Sequence, residues 1–278
     1  MKIVIAGTFP STAQARIAAI FPPDWELSFV RPKDIDREIA TANVLIPELV
    51  QVNDALLDRA PALRLVQTGA GYNNVNLDAC TRHGVIACNA AGVNANAVAE
   101  HVMAFILCWY KNLIYLNGFM KSHRDERELD YSGSELFGKT RPSIELTSLE
   151  GLCRRSDIVS VHVPLTEGAW RMINADVFRM MKGDSILINT SRGTAVDEAQ
   201  LVQALKSGKI SGACLDVYEE EPLAQDSLLR DMYRVILTPH TAGLPDGAKY
   251  RRRRHESFLS NIKKVMNNER PDCWLNEA

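Results

Sequence analysis

Short apolar runs bounded by turn residues alternate with helical patterns along the chain. Such runs are typical of buried strands, and strands that alternate with helices form a parallel sheet whose right-handed crossovers cover both faces. The pattern therefore predicts a doubly wound α/β domain over residues 1–92. Its predicted strands are 2–6, 26–30, 44–46, 63–68 and 85–87, and its predicted helices are 13–21 and 53–60.

The alternation resumes after a long helical pattern. Residues 93–116 contain few helix breakers and are apolar on several sides, which predicts a buried helix running between two domains. Residues 117–140 are polar and mixed, as in a surface arm or linker. We expect a second domain over 93–255, with 256–278 returning to the first. The predicted strands here are 157–163, 185–189, 212–217 and 235–238, and the predicted helices are 174–182, 197–207 and 247–267.

Composition excludes several classes of protein. The 278 residues are 46% apolar and 24% charged, which are ordinary values for a globular protein with a core. Lys and Arg number 32 and Asp and Glu number 34, so a net charge of −2 gives no field that favours nucleic acid or an acidic membrane. The basic run 251–254 lacks interleaved aromatic residues and is interpreted as a solvated helix face. His83, His123 and His255 are interpreted as surface or capping residues.

Cysteine usage and hydropathy indicate the compartment. Six cysteines are widely separated and form no C-x-x-C pair, which predicts reduced thiols and no structural zinc site. The apolar run that begins the chain is too short for a secretory signal, and Glu100 and His101 interrupt the most apolar helix. We expect a cytoplasmic protein that binds no membrane and no nucleic acid.

Candidate chemistry lies at the ends of three predicted strands in the second half. One strand runs on to Arg192, the next to Glu221 and the third to His240. Ligands of open α/β sheets bind beyond the carboxyl ends of the strands, so these side chains would converge on one crevice. An arginine holds a carboxylate by two hydrogen bonds. A buried glutamate beside a histidine favours the protonated imidazole and fixes its tautomer, which suits a general acid/base.

At these residues the sequence resembles the D-isomer-specific 2-hydroxyacid dehydrogenases, the family that includes phosphoglycerate dehydrogenase and the glyoxylate/hydroxypyruvate reductases. The resemblance covers much of the chain and does not rest on one motif. The segments that carry it are LVQTGAGYNNV (65–75), GVNANAVAEH (92–101), SDIVSVHVPLT (156–166), INTSRGTAVD (188–197), GACLDVYEEEPL (212–223) and VILTPHTAG (235–243).

The resemblance implies a role for each candidate. Arg192 would bind the substrate carboxylate and carbonyl, His240 would exchange the proton, and Glu221 would partner His240. Backbone amides around Ala70, Gly71 and Tyr72 would cradle the carboxylate, although Tyr72 as plain packing and Asp216 as a turn cap remain alternatives. The implied contacts to NAD or NADP are His162, Val163, Pro164, Thr190, Ser191, Asp216 and Gly243.

The resemblance also implies the architecture and the partners. Residues 1–92 with 256–278 would form a flavodoxin-like substrate domain, and 93–255 a truncated Rossmann-like, dinucleotide-binding domain. The expected reaction interconverts a small 2-keto acid and a D-2-hydroxy acid. A homodimer is expected, because the family commonly dimerises through its second domain and the helix at 93–116 could serve that contact.

One element of the family is missing. No G-x-G-x-x-G occurs in the chain, and Lys139-Thr140 is followed at once by residues 141–155, so that roughly 35 residues, one βαβ unit, are absent relative to the family pattern. Cofactor binding is therefore expected to be weak or lost. An NAD(P)-dependent dehydrogenase, a cofactor-less carboxylate-binding or inactive relative, and a working protein with a segment that these 278 residues lack all remain open.

The deletion has a structural consequence. In the family the missing strands lie between a short strand near Ile144 and the strand at 157–163. Removing them would expose 157–163 as an apolar sheet edge, which proteins normally pair or cover. We expect either that residues 143–147 pair with this strand or that a partner subunit covers it.

Overall fold

The computed structural model describes five stretches of the chain, and structural statements refer to these. They are residues 1–48, 50–122, 133–136, 144–243 and 248–277. The chain divides into two compact units. Unit 1 comprises Met1–Asn94 and Asp246–Ala278, and unit 2 comprises Ala95–Pro245.

Unit 1 contains a five-stranded parallel sheet, as the alternating pattern predicted. The order is β2-β1-β3-β4-β5, which is the flavodoxin-like order of a doubly wound sheet. Its central strands are apolar at successive positions because helices cover both faces. The strands are β1 (Lys2–Ala6), β2 (Glu26–Val30), β3 (Val44–Pro47), β4 (Leu65–Gln67) and β5 (Ile86–Cys88).

Three short helices of unit 1 connect these strands. Asn53 and Asn76 begin two of them, because each side chain accepts a hydrogen bond from a backbone N–H of the first turn. The helix that Asn76 begins ends at His83, which agrees with the interpretation of His83 as a capping residue. The helices are α1 (Ser11–Ala18), α2 (Asp54–Leu57) and α3 (Leu77–Arg82).

The predicted helix over 93–116 is wrong in one respect: the structure has two helices. α4 (Ala95–Tyr110) ends before Asn112, whose φ of 53° is left-handed, and α5 (Leu113–Lys121) continues at an angle of 62°. Asparagine tolerates this backbone region better than most residues, so it permits the break. The arm predicted over 117–140 therefore starts as helix, and residues 123–132 and 137–140 lie outside the described part.

The prediction that this segment is buried is also only partly right. Val102, Phe105 and Ile106 pack on the sheet of unit 2, but Met103 and Leu107 are 49% and 45% exposed. Of the described helices, none alone has the length and apolar character to cross a membrane, and the bent pair α4–α5 meets that test only when its two members are joined.

Unit 2 contains a four-stranded parallel sheet in the order β6-β7-β8-β9. β7 and β8 are buried at every position, as expected for inner strands of a parallel sheet. Helices α6 (Leu149–Arg155), α7 (Ala175–Met180) and α8 (Glu198–Lys206) accompany it. The strands are β6 (Ile158–Val161), β7 (Ile186–Asn189), β8 (Gly212–Leu215) and β9 (Val235–Leu237).

The sheet of unit 2 ends at β6. Within the described residues β6 pairs only with β7, and residues 144–148 form no strand. The predicted pairing of 143–147 with this edge is therefore wrong for 144–147, and residue 143 lies outside the described part. Ile144 and Leu146 are 98% and 97% exposed, and Glu145 between them bonds to Arg155 of α6 at 2.8 Å. Cover from a partner subunit stays a prediction.

The last helix, α9 (Ala248–Met266), belongs to unit 1 and carries the basic run. Arg252 and Arg253 are exposed, as predicted, and Arg252 bonds to Glu256 four residues on. Arg254 and His255 turn inward, so the interpretation as a solvated face is wrong for them. At 3.6 residues per turn, four successive residues cannot all point to one side of a helix. His255 packs instead against the rings of two buried phenylalanines, Phe21 and Phe258.

Candidate active site

The three candidate side chains of unit 2 follow three adjacent strands. Arg192 comes after β7, Glu221 after β8 and His240 after β9. The strands are parallel and in register, with Asn189 opposite Leu215 and Leu215 opposite Leu237. All three side chains therefore belong to loops at the carboxyl edge of one sheet, where ligands of this architecture bind.

His240 and Glu221 form a direct pair. Nδ1 of His240 lies 2.6 Å from Oε2 of Glu221, and the backbone N–H of Tyr218 donates to the other carboxylate oxygen at 3.1 Å. His240 has a φ of 54°, and its N–H donates to the Asp216 carbonyl at 2.8 Å. The sequence argument assumed a buried glutamate, but the two side chains are 49% and 35% exposed. The pair can fix the ring tautomer while the imidazole stays accessible.

Arg192 is held by a turn that Asn189 organises. The Asn189 side chain, 1% exposed, donates to the Arg192 carbonyl at 2.9 Å and accepts from the backbone and hydroxyl of Ser191. One terminal nitrogen of Arg192 donates to the Ser191 carbonyl at 2.7 Å. Its Nε is buried and has no hydrogen-bond partner among the described atoms. A buried guanidinium nitrogen without an acceptor indicates a site that an anionic ligand can complete.

Asp216 anchors the loop that carries His240. Its buried carboxylate accepts from the backbone N–H groups of Thr241 and Ala242, both at 2.8 Å, and from the Thr238 hydroxyl at 2.5 Å. These hydrogen bonds support the alternative in which Asp216 caps a turn. The contact of Asp216 with NAD(P) stays a prediction. His101 of α4 lies 3.1 Å from the Thr238 hydroxyl, a connection that sequence reasoning missed. The hydroxyl residue Thr238, two positions before His240, was the one sequence feature that could have indicated this contact.

A second connection holds the loops after β7 and β8 together. Gly193 approaches the backbone so closely that a Cβ there would lie 1.8 Å from the Tyr218 carbonyl oxygen. Arg171 donates to both carboxylate oxygens of Glu219, at 3.0 and 3.3 Å, and the Glu219 N–H donates to Glu198 at 3.3 Å. Sequence reasoning missed Arg171 and Glu198, because neither lies in a strand-end segment that draws notice.

The predicted contacts to NAD(P) also lie at this carboxyl edge. His162, Val163 and Pro164 directly follow β6, and Thr190 and Ser191 directly follow β7. Gly243 lies three residues beyond His240. Ser160 and the ring of His162 are 2.7 Å apart, and the Thr190 hydroxyl is buried without a partner in the described part of the chain. An orphaned buried hydroxyl fits a polar ligand group at the end of β7.

The same edge fits the phosphates of a dinucleotide less well. A glycine-rich turn that opens a helix normally supplies backbone donors and a positive dipole end to the pyrophosphate. The sequence contains no G-x-G-x-x-G, and over the described residues no strand precedes β6 in this sheet. The described residues thus offer an unpaired hydroxyl and an unpaired guanidinium nitrogen just beyond β7, and include no glycine-rich turn of the usual phosphate-binding kind.

The other predicted residues lie in unit 1. Ala70, Gly71 and Tyr72 form the loop that follows β4. Asn89, which follows β5, donates to the Ala70 carbonyl at 3.0 Å, and the Ala90 N–H donates to the Gly69 carbonyl at 2.9 Å. The loop is therefore held by the neighbouring strand end through carbonyl groups.

Comparison with solved structures defines the class of fold. The chain is similar to the TT0316 protein of Thermus thermophilus, with a TM-score of 0.85, 24% identity and coverage of 99% of this chain and 100% of that one. It is also similar to an NADPH-dependent glyoxylate/hydroxypyruvate reductase of Sinorhizobium meliloti, solved with NADP and malonate, with a TM-score of 0.83, 24% identity and coverage of 99% and 96%. Two parallel-sheet α/β units therefore make up this fold, as in these two solved structures.

Sequence comparison gives the family. A sequence profile described as "D-isomer specific 2-hydroxyacid dehydrogenase, NAD binding domain" matches residues 130–242. The glyoxylate reductase of Thermofilum pendens is 30% identical, covering 91% of this chain and 86% of that protein. The D-3-phosphoglycerate dehydrogenase of Mycobacterium tuberculosis is 30% identical over 77% of this chain and 48% of its own length. The chain belongs to the D-isomer specific 2-hydroxyacid dehydrogenase family.

Proposed function

We propose that the chain interconverts a small 2-keto acid and the corresponding D-2-hydroxy acid with NAD(P) as co-reactant. Unit 1 is the substrate domain and unit 2 the truncated dinucleotide-binding domain. The observation that carries this proposal is the set of Arg192, Glu221 and His240 on three adjacent strand ends of one sheet, with the His240–Glu221 pair already formed. The glyoxylate reductases among the relatives support a 2-keto acid with a very short side chain.

Arg192 is the carboxylate-binding residue of this proposal. Its buried Nε lacks an acceptor among the described atoms, and the turn fixed by Asn189 keeps its backbone in place. A planar guanidinium binds a carboxylate through two parallel hydrogen bonds, so it orients the substrate as well as holding it. In unit 1, the backbone amides of Ala70, Gly71 and Tyr72 offer donors for a carboxylate.

His240 moves the proton. When bound, the reduced nicotinamide supplies a hydride, and the carbonyl oxygen then needs a proton from a positioned acid. Glu221 holds Nδ1, which leaves Nε2 as the nitrogen that gives the proton in reduction and takes it in oxidation.

Cofactor affinity is the weak point of this chain. The alignment with the Thermofilum glyoxylate reductase spans 297 positions, and it includes 91% of the 278 residues of this chain. Roughly 44 of these positions are therefore gaps in this chain, which supports the loss of a βαβ unit. Losing one or two charge-assisted bonds and the helix terminus costs ~3–6 kcal/mol, or ~10²–10⁴ in affinity. A micromolar cofactor would become a millimolar one.

A second function follows from the same deletion. A relative that binds small carboxylates without cofactor, or an inactive remnant, would keep Arg192 and the loop of unit 1 but turn nothing over. The missing G-x-G-x-x-G favours this alternative, and the intact His240–Glu221 pair favours the dehydrogenase.

Titration of the purified chain with NADH and NADPH separates the two functions, once intact mass has confirmed the 278 residues. Turnover of glyoxylate or hydroxypyruvate is then measured for the wild type, for Arg192→Ala and for the control Arg179→Ala. Arg179 is an exposed arginine of α7 that pairs only with Asp176 in the described part of unit 2. Turnover that disappears in Arg192→Ala and survives in Arg179→Ala supports the dehydrogenase.

The outcomes differ clearly. Saturation below ~100 μM argues against the remnant, because the affinity calculation places a chain without the phosphate site well above that concentration. Carboxylate binding without any turnover, at cofactor concentrations up to the solubility limit, favours the cofactor-less relative. Equal turnover in wild type and Arg192→Ala contradicts the proposed role of Arg192.

We also propose a homodimer in the cytoplasm. Large apolar side chains of α4 and α5 remain exposed among the described residues of unit 2, and exposed apolar side chains in such number support association. Sedimentation velocity tests this directly: a single species of about 62 kDa supports the dimer, since the chain has a mass of 30.9 kDa, and a monomer at micromolar concentration contradicts it. The exposed side chains are Met103, Leu107, Leu113, Ile114 and Met120.

A further inference from the structure

The side chain of Arg254, in the basic run 251–254, reaches the loop of Ala70, Gly71 and Tyr72 in unit 1, which is proposed to bind the substrate carboxylate. Nη2 and Nε of Arg254 lie 3.3 and 3.4 Å from the position that a Cβ on Gly69 would occupy. Gly69 is the residue just before Ala70, so the guanidinium lies directly under the start of the loop. A methyl group at Gly69 would press on the guanidinium, so little room separates this side chain from the start of the loop.

Arg254 is fixed in this place from two sides. Its Nη2 is hydrogen-bonded to Oε1 of Glu48, the residue that follows β3. Its guanidinium carbon lies 5.1 Å from the ring centre of Phe258, one turn further along α9. The side chains of Arg254 and Glu48 are only 18% and 26% exposed. A half-desolvated pair is stronger than a surface ion pair and is not easily exchanged for water.

The pair lines a small cavity with the loop. Its volume is about 170 Å³, and it lies at the carboxyl ends of β3 and β4. Asn74 closes the same region, because its side chain donates to the carbonyls of Pro47 and Val50, both at 2.7 Å, and so holds the segment on either side of Glu48. The charged pair and the loop therefore line the same cavity, and hydrogen bonds of Asn74 and Arg254 hold the chain beside Glu48.

We propose that Arg254 is a positioning residue for the carboxylate-binding loop, and that the Glu48–Arg254 pair sets where the backbone amides of Ala70–Tyr72 point. The inference rests on the proposed carboxylate role of this loop. Arg254 acts through the loop and not on the reacting atoms, so its loss should raise the KM for a small 2-keto acid and leave kcat nearly unchanged.

The test compares two arginines two residues apart on the same helix. Arg254→Gln removes the inward cation, and Arg252→Gln removes an exposed one whose partner in the described chain is Glu256. Arg254→Lys keeps the positive charge but loses the planar guanidinium group. Glu48→Gln weakens the same ion pair from the carboxylate side and replaces Arg254→Gln if that variant folds poorly. Three readouts are taken on the full chain: hydrogen exchange of the peptide containing residues 69–72 without ligand, oxalate affinity by calorimetry, and KM and kcat for glyoxylate.

The expected result is specific to the inward arginine. Arg254→Gln speeds exchange at 69–72, weakens oxalate binding and raises the KM for glyoxylate, the last two by roughly ten- to a hundredfold, since the charged hydrogen bond that ties α9 to Glu48 beside the loop is lost. Glu48→Gln gives a smaller change of the same sign, Arg254→Lys recovers part of the loss, and Arg252→Gln behaves as wild type.

The inference and the proposed function fail in different ways. If Arg254→Gln leaves exchange, oxalate affinity and KM unchanged in an active protein, the inference is wrong and the dehydrogenase stands. If the wild type binds oxalate with the same dependence on Arg254 but turns over no glyoxylate, the inference stands and the dehydrogenase fails. A drop in kcat with unchanged KM, or a wild type that binds no oxalate, contradicts the inference.

Discussion

His240 and Glu221 are joined by a hydrogen bond of 2.6 Å between loops that follow two adjacent strands. The bond uses Nδ1, so it orients the ring with Nε2 outward. Because Tyr218 donates its N–H to the second oxygen of Glu221, the carboxylate is itself held in place. The histidine is therefore positioned before any ligand is bound.

Removal of the imidazole should remove proton transfer. We expect His240→Gln to lower kcat for glyoxylate reduction by ~10²–10⁴, the usual contribution of a positioned general acid. Glu221→Gln should lower kcat less, because the ring remains but the hydrogen bond that orients it is weakened. Steady-state kinetics at saturating glyoxylate measure this, with the exposed neighbour Glu220→Gln as control. Equal kcat in His240→Gln and wild type would exclude the assigned role.

A methyl group at Gly193 should separate two loops of the site. Because the added Cβ would lie 1.8 Å from the Tyr218 carbonyl oxygen, the backbone must move, and we expect Gly193→Ala to lower the free energy of unfolding by about 3 kcal/mol. Gly183→Ala is the matched control, since a Cβ there meets no described atom within 4 Å. Urea unfolding of both variants is the measurement, and similar midpoints would contradict the close approach.

Replacing Asp216 should loosen the loop that carries His240. Asp216→Asn keeps one acceptor but turns an NH₂ group toward a backbone donor, and we expect a loss of ~2–4 kcal/mol of unfolding free energy. The exposed Asp226→Asn should change little. Thermal and urea unfolding report the difference. An Asp216→Asn protein of wild-type stability but weaker NADH binding would instead favour a direct cofactor contact.

Glu198 should make stability depend on pH. Burial raises the pKa of its carboxyl above 4.5, and the nearby Glu219 carboxylate raises it further, while the Glu219 N–H opposes the shift. The folded state therefore holds this proton more tightly than the unfolded state. The resulting stability is present below pH 4.5 and is lost as the pH rises through the folded pKa.

Glu198→Gln removes this dependence and can still accept the Glu219 N–H. Relative to wild type, the variant should gain stability between about pH 4 and pH 7. Urea midpoints at several pH values measure the difference, with Glu220→Gln as the control at an exposed position. A difference that stays constant over this range, or that changes in the opposite direction, would show that the Glu198 proton is not held more tightly in the folded protein.

The strands were predictable because their apolar runs are short, buried and bounded by turns. The edge on which Arg192, Glu221 and His240 lie follows from strand order alone, since each residue belongs to the loop that succeeds a strand. The break at Asn112 was not predictable, because the apolar pattern continues across it and only the left-handed backbone of one residue ends the helix.

Charge patterns were less informative than apolar ones. Four arginines in a row are identical in the sequence, yet Arg254 is inward because of where it falls on the turn of α9 and because Glu48 lies within reach. The apolar pattern of Ile144 and Leu146 was likewise misleading, because both side chains stay exposed while the charged residue between them, Glu145, bonds to Arg155 of α6.

The open edge at β6 lies on the far side of the sheet from β8 and β9. The His240–Glu221 pair of the proposed proton transfer therefore follows strands that lie two and three places away from β6. A strand added at β6 would therefore leave the loops of Glu221 and His240 with the strand neighbours that they have now.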